Sequence, residues 1–436
     1  MCGIVGFIRP QKDELNDFED LTQMNNSIHS RGPDDQGMYL DRIGSYSVGL
    51  AMKRLSIIDV SNGSQPIKSW DNQIVLTFNG EIYNYRRLRQ ELQSLGVHFK
   101  TNSDTEVILR LYENYGIDGI KRLDGMFAIA ILDKEKEVIH FSRDHFGEKP
   151  LYLYQGDGCL YWASELKAIR CIVRDNLSIS MPSVTAYFQL FYIPSPNTIY
   201  NEVVKIKPNT CVTVSLKSLD SLETITKDET VKELGNFKMS YQEAIEKNRS
   251  LLFEIVESRL ESDVPVGAFL SGGVDSSIVS FIASRIKSDK KIDTFTIGFE
   301  KKEFNESKKA QLVSDIIGSN HHEFTFTSSD MLEIVDEVQA NFDEPFADMS
   351  SLATYLISKK TAEHVKVALT GDGGDELYGG YNKYRMSGIY QSFEFLNNHK
   401  LWKNFLGNVK PLLFDSDDTR GLKFKLRRVV DALESG

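Results

Sequence analysis

A thiol stands at the second position of the chain, in Met1-Cys2-Gly3-Ile4-Val5-Gly6-Phe7. Removal of Met1 leaves Cys2 with a thiol and a free α-amine on one residue. An α-amine titrates near pH ~7.7–8.0, so at neutral pH it can take the thiol proton. Nucleophile and base then come together, as in N-terminal threonine enzymes. Alone, such a cysteine also reads as an ordinary small residue opening a strand. Other residues supply the rest of an amide chemistry. In Phe78-Asn79-Gly80-Glu81 the Asn79 amide and the Gly80 N–H form a candidate oxyanion hole. Arg54, in Lys53-Arg54-Leu55-Ser56-Ile57-Ile58, offers a fork suited to an α-carboxylate. Asp104, in Asn102-Ser103-Asp104-Thr105-Glu106, suits an α-ammonium; read locally, Ser103 or Asp104 caps the helix from Thr105 onward.

A second set points to phosphate. Ala268-Phe269-Leu270-Ser271-Gly272-Gly273-Val274-Asp275-Ser276-Ser277 ends a strand, turns on two glycines and opens a helix with two hydroxyls. Main-chain N–H groups and a helix N-terminus converging there make an anion cradle. It lacks the lysine and spacing of a GxxxxGK[ST] loop. Asp275 among phosphates implies a Mg²⁺ between them. Thr370-Gly371-Asp372-Gly373-Gly374-Asp375-Glu376 closes another strand with three glycines and three carboxylates. The alternation of a calcium loop is absent, and the segment reads as a Mg²⁺ and nucleotide contact.

The elements that must position these residues change rhythm midway. Short strands are expected at Gly3–Ile8, Gly49–Ile58, Ile74–Asn79, Phe127–Leu132, Val138–Ser142, Leu151–Tyr154 and Leu160–Ala163. Helices are expected near Tyr85–Leu95 and Asp104–Tyr115, which together give an α+β sandwich. The polar stretch around Ser215–Glu233 reads as a linker. Beyond it, strands Val266–Leu270, Asp293–Phe299, His322–Phe326 and Val365–Thr370 alternate with helices at Ser276–Ile286, Glu306–Ile317, Met331–Asn341 and Ser350–Glu363. That alternation predicts a doubly wound parallel sheet, with ligands at the carboxyl ends of its strands. The tail from Tyr384 reads as helical. Its basic cluster, Arg420, Lys423, Lys425, Arg427 and Arg428, reads as a solvated helix face.

Composition narrows the function classes. A net charge of −11 argues against non-specific binding to nucleic acid or anionic lipid. There is no run of eighteen apolar residues and no signal pattern. Cysteines 2, 159, 171 and 211 have no CxxC spacing, so a reducing, cytosolic (cytoplasmic) setting is expected. In a strand, His321 and His322 point to opposite faces and would not share a metal.

Taken together, the motifs resemble glutamine-dependent asparagine synthetase over essentially the whole length. Met1-Cys2-Gly3-Ile4, Arg31-Gly32-Pro33-Asp34, Arg54-Leu55-Ser56-Ile57-Ile58-Asp59, Asn79-Gly80-Glu81-Ile82-Tyr83-Asn84 and Arg143-Asp144-His145-Phe146-Gly147 resemble the glutaminase half. Ser271–Ser277, Asp343-Glu344-Pro345-Phe346 and Gly371–Gly380 resemble the synthetase half. The resemblance implies an α+β N-terminal-nucleophile (Ntn) sandwich followed by an α/β doubly wound sheet of the ATP-pyrophosphatase, adenine-nucleotide α-hydrolase-like kind. It implies a class II glutamine amidotransferase domain over residues 2–215, a linker at 216–239 and a synthetase domain over 240–436.

By resemblance, Cys2 hydrolyses glutamine with Asn79 and Gly80 as its catalytic partners. Arg54, Leu55, Ser56, Ile57, Ile58, Asn79, Gly80, Glu81 and Asp104 would bind glutamine. Leu270, Ser271, Gly272, Gly273, Asp275, Ser276, Ile297, Thr370 and Gly371 would contact ATP, and Asp275 and Asp375 would hold Mg²⁺. Aspartate would be activated as aspartyl-AMP, and ammonia would displace AMP to give asparagine. The implied partners are glutamine, aspartate and ATP, with no nucleic acid or membrane, and with a homodimer as the assembly to test. Thr370 and Asp372 stand where members often carry Ser and Glu, which keeps the hydroxyl and the carboxylate. Members usually continue through an Arg-Val-Pro-Phe-Leu-Asp segment to a catalytic lysine, so the chain is expected to end early relative to the family. Two other readings stay open: the same chemistry on a sugar or peptide carboxylate, and a truncated product with a non-functional synthetase half.

Overall fold

The structure is a computed structural model that describes residues 2–11, 13–226, 239–300, 305–348 and 350–384. The expected helical tail and its basic cluster at 420–428 lie outside the described residues, as does 227–238 of the expected linker.

The first half is built on two six-stranded antiparallel sheets. One runs, in spatial order, Val203–Lys205, Tyr152–Gly156, Cys159–Ala163, Gly3–Pro10, Tyr46–Arg54 and Asp35–Ile43. The other runs Ser218–Thr226, Thr210–Ser215, Val138–Arg143, Gly125–Asp133, Ile74–Ile82 and Ile67–Lys68. Side chains alternate along each strand. The inner faces therefore meet in one core: Ile4, Ile8, Leu50 and Met52 from the first sheet against Ala128, Ala130, Leu132 and Phe141 from the second. The outer faces are covered by helices. Leu21 and Met24 of helix Glu14–Ser27 pack on the first sheet, and Leu88, Ile108 and Leu111 of helices Tyr85–Ser94 and Asp104–Tyr115 pack on the second. This is the expected α+β sandwich. One boundary moves: the stretch read as a linker opens with strand Ser218–Thr226, paired antiparallel to Thr210–Ser215. Its polar residues suit an edge strand, where a solvated edge tolerates them; Leu219 still reaches the core.

The second half carries a four-stranded sheet in the order Asn320–Phe326, Asp293–Phe299, Val266–Phe269, Val367–Leu369, with every pair parallel. Ile282 and Ala283 of helix Val274–Ile286 join Val256 and Leu260 in one core cluster, and Val338 and Leu356 belong to another with Phe326. His321 and His322 do point to opposite faces: His321 meets the Thr294 hydroxyl, while His322 stacks on Phe295. The segment expected as one helix near Met331–Asn341 is two, Ser328–Glu333 and Val335–Asn341. No described helix is long and apolar enough to cross a membrane.

The described residues fall into two compact units, one within 2–273 and 277–370, the other of 274–276 with 371–384. Within the first unit the sandwich and the parallel sheet are joined by the Asp343-Glu344 pair. Asp343 accepts from the Lys167 N–H at 3.1 Å; Glu344 accepts from the Ile199 N–H at 2.8 Å and pairs with Lys205 at 2.7 Å. The Asp-Glu-Pro-Phe motif thus acts in docking here.

Candidate active site

Cys2 sits at the start of the central strand Gly3–Pro10, beside the neighbouring strand's end at Arg54. The Leu55 N–H donates to its Sγ at 3.4 Å, and Sγ lies 3.6 Å from the Leu55 carbonyl. Arg31 fixes the residue from the other side, donating Nε to the Cys2 carbonyl at 2.8 Å while pairing with Glu165 at 3.1 Å. Burial pushes the Cys2 thiol up, against the lowering effect of the Leu55 N–H. A thiol held high needs a base within the site.

The pocket around Cys2 gathers most of the residues singled out for glutamine. Arg54, Leu55, Ile57 and Ile58 line it from the loop after the strand. Asn79, Gly80 and Glu81 line it from strand Ile74–Ile82, and Asp104 from the start of its helix. Ser56 is the exception. It is buried and absent from the lining, with its N–H donating to Asp34 at 2.9 Å.

The orientation of the Asn79 amide is informative. The residue is 0% exposed, and neither its oxygen nor its nitrogen has a protein partner. A buried unpaired amide is costly to leave so, and this one lines the pocket of the thiol. Gly80 next to it has φ +154°, and a β-carbon there would stand 2.7 Å from the Phe127 Cα. Only glycine lets the two strands approach at this point.

Charges of both signs meet in the pocket. Ser103 is the helix N-cap, accepting from the Thr105 N–H at 3.1 Å. Asp104, freed from that role, is 5% exposed and accepts from the Ile82 N–H at 3.1 Å. Burial pushes its carboxyl up to about 6. Glu81 is pushed up to about 7, by burial first and by the Asp104 charge second, with Lys149 pulling it back. Lys149, 4% exposed, is lowered by burial. Arg54 contributes a guanidinium that already donates to the carbonyls of Ile58, Asp59 and Val60 at 3.0, 2.8 and 3.2 Å. Besides facing the pocket, it therefore shapes the loop that carries Ile57 and Ile58.

Sequence reasoning missed Lys149 and Met126, which line the pocket, and gave Arg31 no role beyond its motif. Nothing local in Gly147-Glu148-Lys149-Pro150 marks a buried lysine. The turn is folded inward by the motif before it: Asp144 accepts from the N–H groups of Phe146, Glu148 and Lys149, and Arg143 donates to the carbonyls of Gly147, Lys149 and Ile206. The signal was the Arg143-Asp144 pair, whose two side chains can satisfy a tight loop's backbone.

The phosphate-type residues fall in both compact units. In the first, Leu270 is buried and donates its N–H to the Phe295 carbonyl at 2.8 Å, while Ile297 lies on strand Asp293–Phe299. Gly272 has φ +75° and packs so close to the next helix that a β-carbon would stand 2.5 Å from Lys309 Cβ. The Ser271 hydroxyl accepts from the Gly273 N–H at 3.2 Å, and Ser277 donates its hydroxyl to the Gly273 carbonyl at 2.6 Å. Thr370 follows strand Val367–Leu369. In the second unit, Gly371 and Gly374 press on Asp275 and Ser276: added β-carbons would stand 2.6 Å from the Ser276 nitrogen and 2.5 Å from the Asp275 Cγ. Asp375 opens the short helix Gly374–Tyr378 beside them. Among the described residues no group of three or more His, Cys, Asp or Glu could hold a metal alone. Two carboxylates completed by substrate phosphates is the usual arrangement for Mg²⁺; Asp275 packs against Gly374, the residue before Asp375.

Comparison with known proteins agrees with both halves. Residues 1–223 match the family model for a glutamine amidotransferase domain, and residues 247–428 match that for asparagine synthase. The chain is 38% identical over 419 residues to putative glutamine-hydrolysing asparagine synthetase 2 of Methanocaldococcus jannaschii, covering 91% of this chain and 79% of that one. It is 36% identical over 399 residues to glutamine-hydrolysing asparagine synthetase 1 of Bacillus subtilis, covering 90% of this chain and 61% of that one. A putative synthetase of the same name from Mycobacterium bovis is 32% identical over 439 residues, with 65% of its length spanned. A thiol pocket on an antiparallel sandwich, glycine loops on a parallel sheet and these likenesses have one common source: the chain belongs to the glutamine-hydrolysing asparagine synthetase family.

Proposed function

We propose that the chain makes asparagine from aspartate, ATP and glutamine. After loss of Met1, the Cys2 α-amine takes the thiol proton and the sulfur attacks the glutamine side-chain carbonyl. Asn79 Nδ2 and the Gly80 N–H stabilise the oxyanion. The tetrahedral adduct expels ammonia, with the amine returning the proton, and leaves a thioester that water cleaves to glutamate. Arg54 and Lys149 face the substrate carboxylate, and Asp104 and Glu81 face its ammonium. The observation that carries this reading is the unpartnered, fully buried amide of Asn79 lining the pocket of the thiol.

In the second half, the Ser271–Gly273 turn would receive phosphate oxygens on main-chain N–H groups. Leu270, Ile297, Thr370 and Gly371 would contact the nucleotide, and Asp275 and Asp375 would hold Mg²⁺. That ion, when bound, neutralises charge on the leaving pyrophosphate. The aspartate side-chain carboxylate attacks the α-phosphorus, pyrophosphate leaves, and ammonia then displaces AMP from aspartyl-AMP.

Pyrophosphate release from Mg-ATP tests the reading. It is expected to require aspartate, together with either glutamine or ammonia as nitrogen donor. Cys2→Ala should abolish the glutamine-dependent reaction and leave the ammonia-dependent one. Release that ignores aspartate would overturn the acceptor; loss of both reactions in a folded Cys2→Ala protein would overturn the two-site scheme.

A further inference from the structure

The loop that lines the glutamine pocket is held from outside its own half of the chain. Asp263 brackets it: the Asp59 N–H donates to Asp263 Oδ2 at 2.7 Å, and the Asp263 N–H donates to the Ile57 carbonyl at 3.0 Å. Lys366 reaches the same loop through one intermediary. Its Nζ lies 2.8 Å from Asp34 Oδ2, the oxygen that accepts from the Ser56 N–H at 2.9 Å. Ser56, Ile57 and Asp59 are thus all tied down, and Ile57 and Ile58 between them line the pocket. Arg259, near Asp263 in sequence, lies over the Tyr83 ring at 4.1 Å and adds a contact beside the same site.

The two tethers stand at corresponding places in the parallel sheet. Asp263 precedes strand Val266–Phe269, and Lys366 precedes strand Val367–Leu369; the two strands are paired neighbours. At their other ends the strands run on to Ser271 and Thr370. A single short strand therefore separates each tether from a residue assigned above to the nucleotide.

We propose that Asp263, and Lys366 acting through Asp34, are positioning residues for glutamine hydrolysis: they hold the Ser56–Asp59 loop in its binding conformation, so that the glutamine pocket is completed by the synthetase half. The inference rests on the glutaminase reading above. It assigns neither residue to the chemical step, since neither lines the pocket with Cys2 and Asn79.

The test uses the full chain with three substitutions, reading glutamine hydrolysis and backbone hydrogen exchange over residues 56–59. Asp263→Ala removes the acceptor for Asp59 and should raise KM for glutamine about tenfold with kcat within about twofold of wild type. Asp263→Asn keeps a side-chain oxygen in place and should recover KM to within about threefold. Lys366→Met, at a half-exposed pair, should raise KM about threefold while Asp34 still accepts from Ser56. Exchange at 56–59 should speed up in the order Asn, Met, Ala. An unchanged KM in Asp263→Ala, an Asn variant as impaired as the Ala variant, or unchanged exchange over 56–59 would each overturn the proposal. Should Asp263→Ala not fold, Lys366→Met and Asp263→Asn decide it alone. Absence of hydrolysis by the wild-type chain would overturn the glutaminase reading instead, and the exchange measurement would still decide whether the tethers hold the loop.

Discussion

Replacing Asp104 by Asn should move activity and stability in opposite directions. The amide keeps the shape and an oxygen for the Ile82 N–H, and it removes one charge. Burial raises the carboxyl from 3.8 to about 6, which corresponds to about 3 kcal/mol of destabilisation whenever the group is ionised in the empty protein. For an acid whose folded pKa is raised, the penalty is absent below about pH 4, grows as pH rises through 6, and is full above it. Asp104→Asn should therefore stabilise the empty protein by up to about 3 kcal/mol at pH 8, a rise in melting temperature of about 3–6 °C. That gain should shrink as pH falls toward 4. Under the proposed glutaminase reading the balance reverses with substrate, because the ionised carboxylate is what an α-ammonium would meet. Removing one side of a buried pair costs about 3 kcal/mol, so kcat/KM for glutamine should fall about a hundredfold, carried by KM. Thermal melts across pH 5–8 and glutamate formation against glutamine concentration measure both effects. A variant that melts lower at pH 8, or one that keeps its KM, would refute the reasoning.

Two other outcomes follow from the same pocket and its scaffold. Gly80→Ala should lose about 2–4 kcal/mol and nearly all glutamine hydrolysis, because its β-carbon meets the opposing strand at Phe127; Gly158→Ala, whose β-carbon meets nothing within 4 Å, should lose only about 1 kcal/mol to its positive φ and leave hydrolysis intact. His140, pinned between the hydroxyls of Thr213 and Tyr112 and lowered by burial to about 4, must stay neutral in the fold. Its folded pKa lies below the unfolded 6.5, so its contribution is full above that pH and up to about 3 kcal/mol is lost as pH falls toward 4. Urea unfolding at pH 7 and pH 4.5 should show a smaller difference in His140→Gln than in wild type.

The elements legible in the sequence were those with a strong apolar period. Helix Asp104–Tyr115 has the bounds its spacing gives, and strand Asp293–Phe299 does too. Elements with a weak or one-sided period were missed. Helix Glu14–Ser27 buries Leu21 and Met24 yet exposes Leu15 and Phe18, which blurs its face. Strands Asp35–Ile43 and Ser218–Thr226 form the sheet edges, where half the residues are free to be polar. Strand Gly49–Ile58 was read four residues too long at its end. Its observed end at Arg54 releases Leu55–Ile58 as the pocket loop, because Arg54 turns back to bind carbonyls 58–60. Lys149 was hidden differently: the lysine itself carries no pattern, and only the Arg143-Asp144 pair that builds its turn marks it.

The charges in the pocket follow one rule. Arg54 and Lys149 line the pocket with Asp104 and Glu81 around a thiol, so its formal charges balance. Burial raises both carboxylates, the Asp104 charge raises Glu81 further, and a buried lysine is lowered, so the empty pocket holds three of these groups away from their ordinary states. A neutral ligand would leave that strain in place. A cation or an anion would relieve one pair and aggravate the other. An amino acid carrying both charges on one carbon would relieve both and, in the proposed reading, leave its side chain to Asn79 and Cys2. On the proposed reading, selection of glutamine over a simple amide would then rest on relief of strain that the fold builds into the empty site. Simple carboxamides should accordingly be poor substrates even at high concentration, with the deficit shrinking at pH values low enough to protonate Glu81 and Asp104.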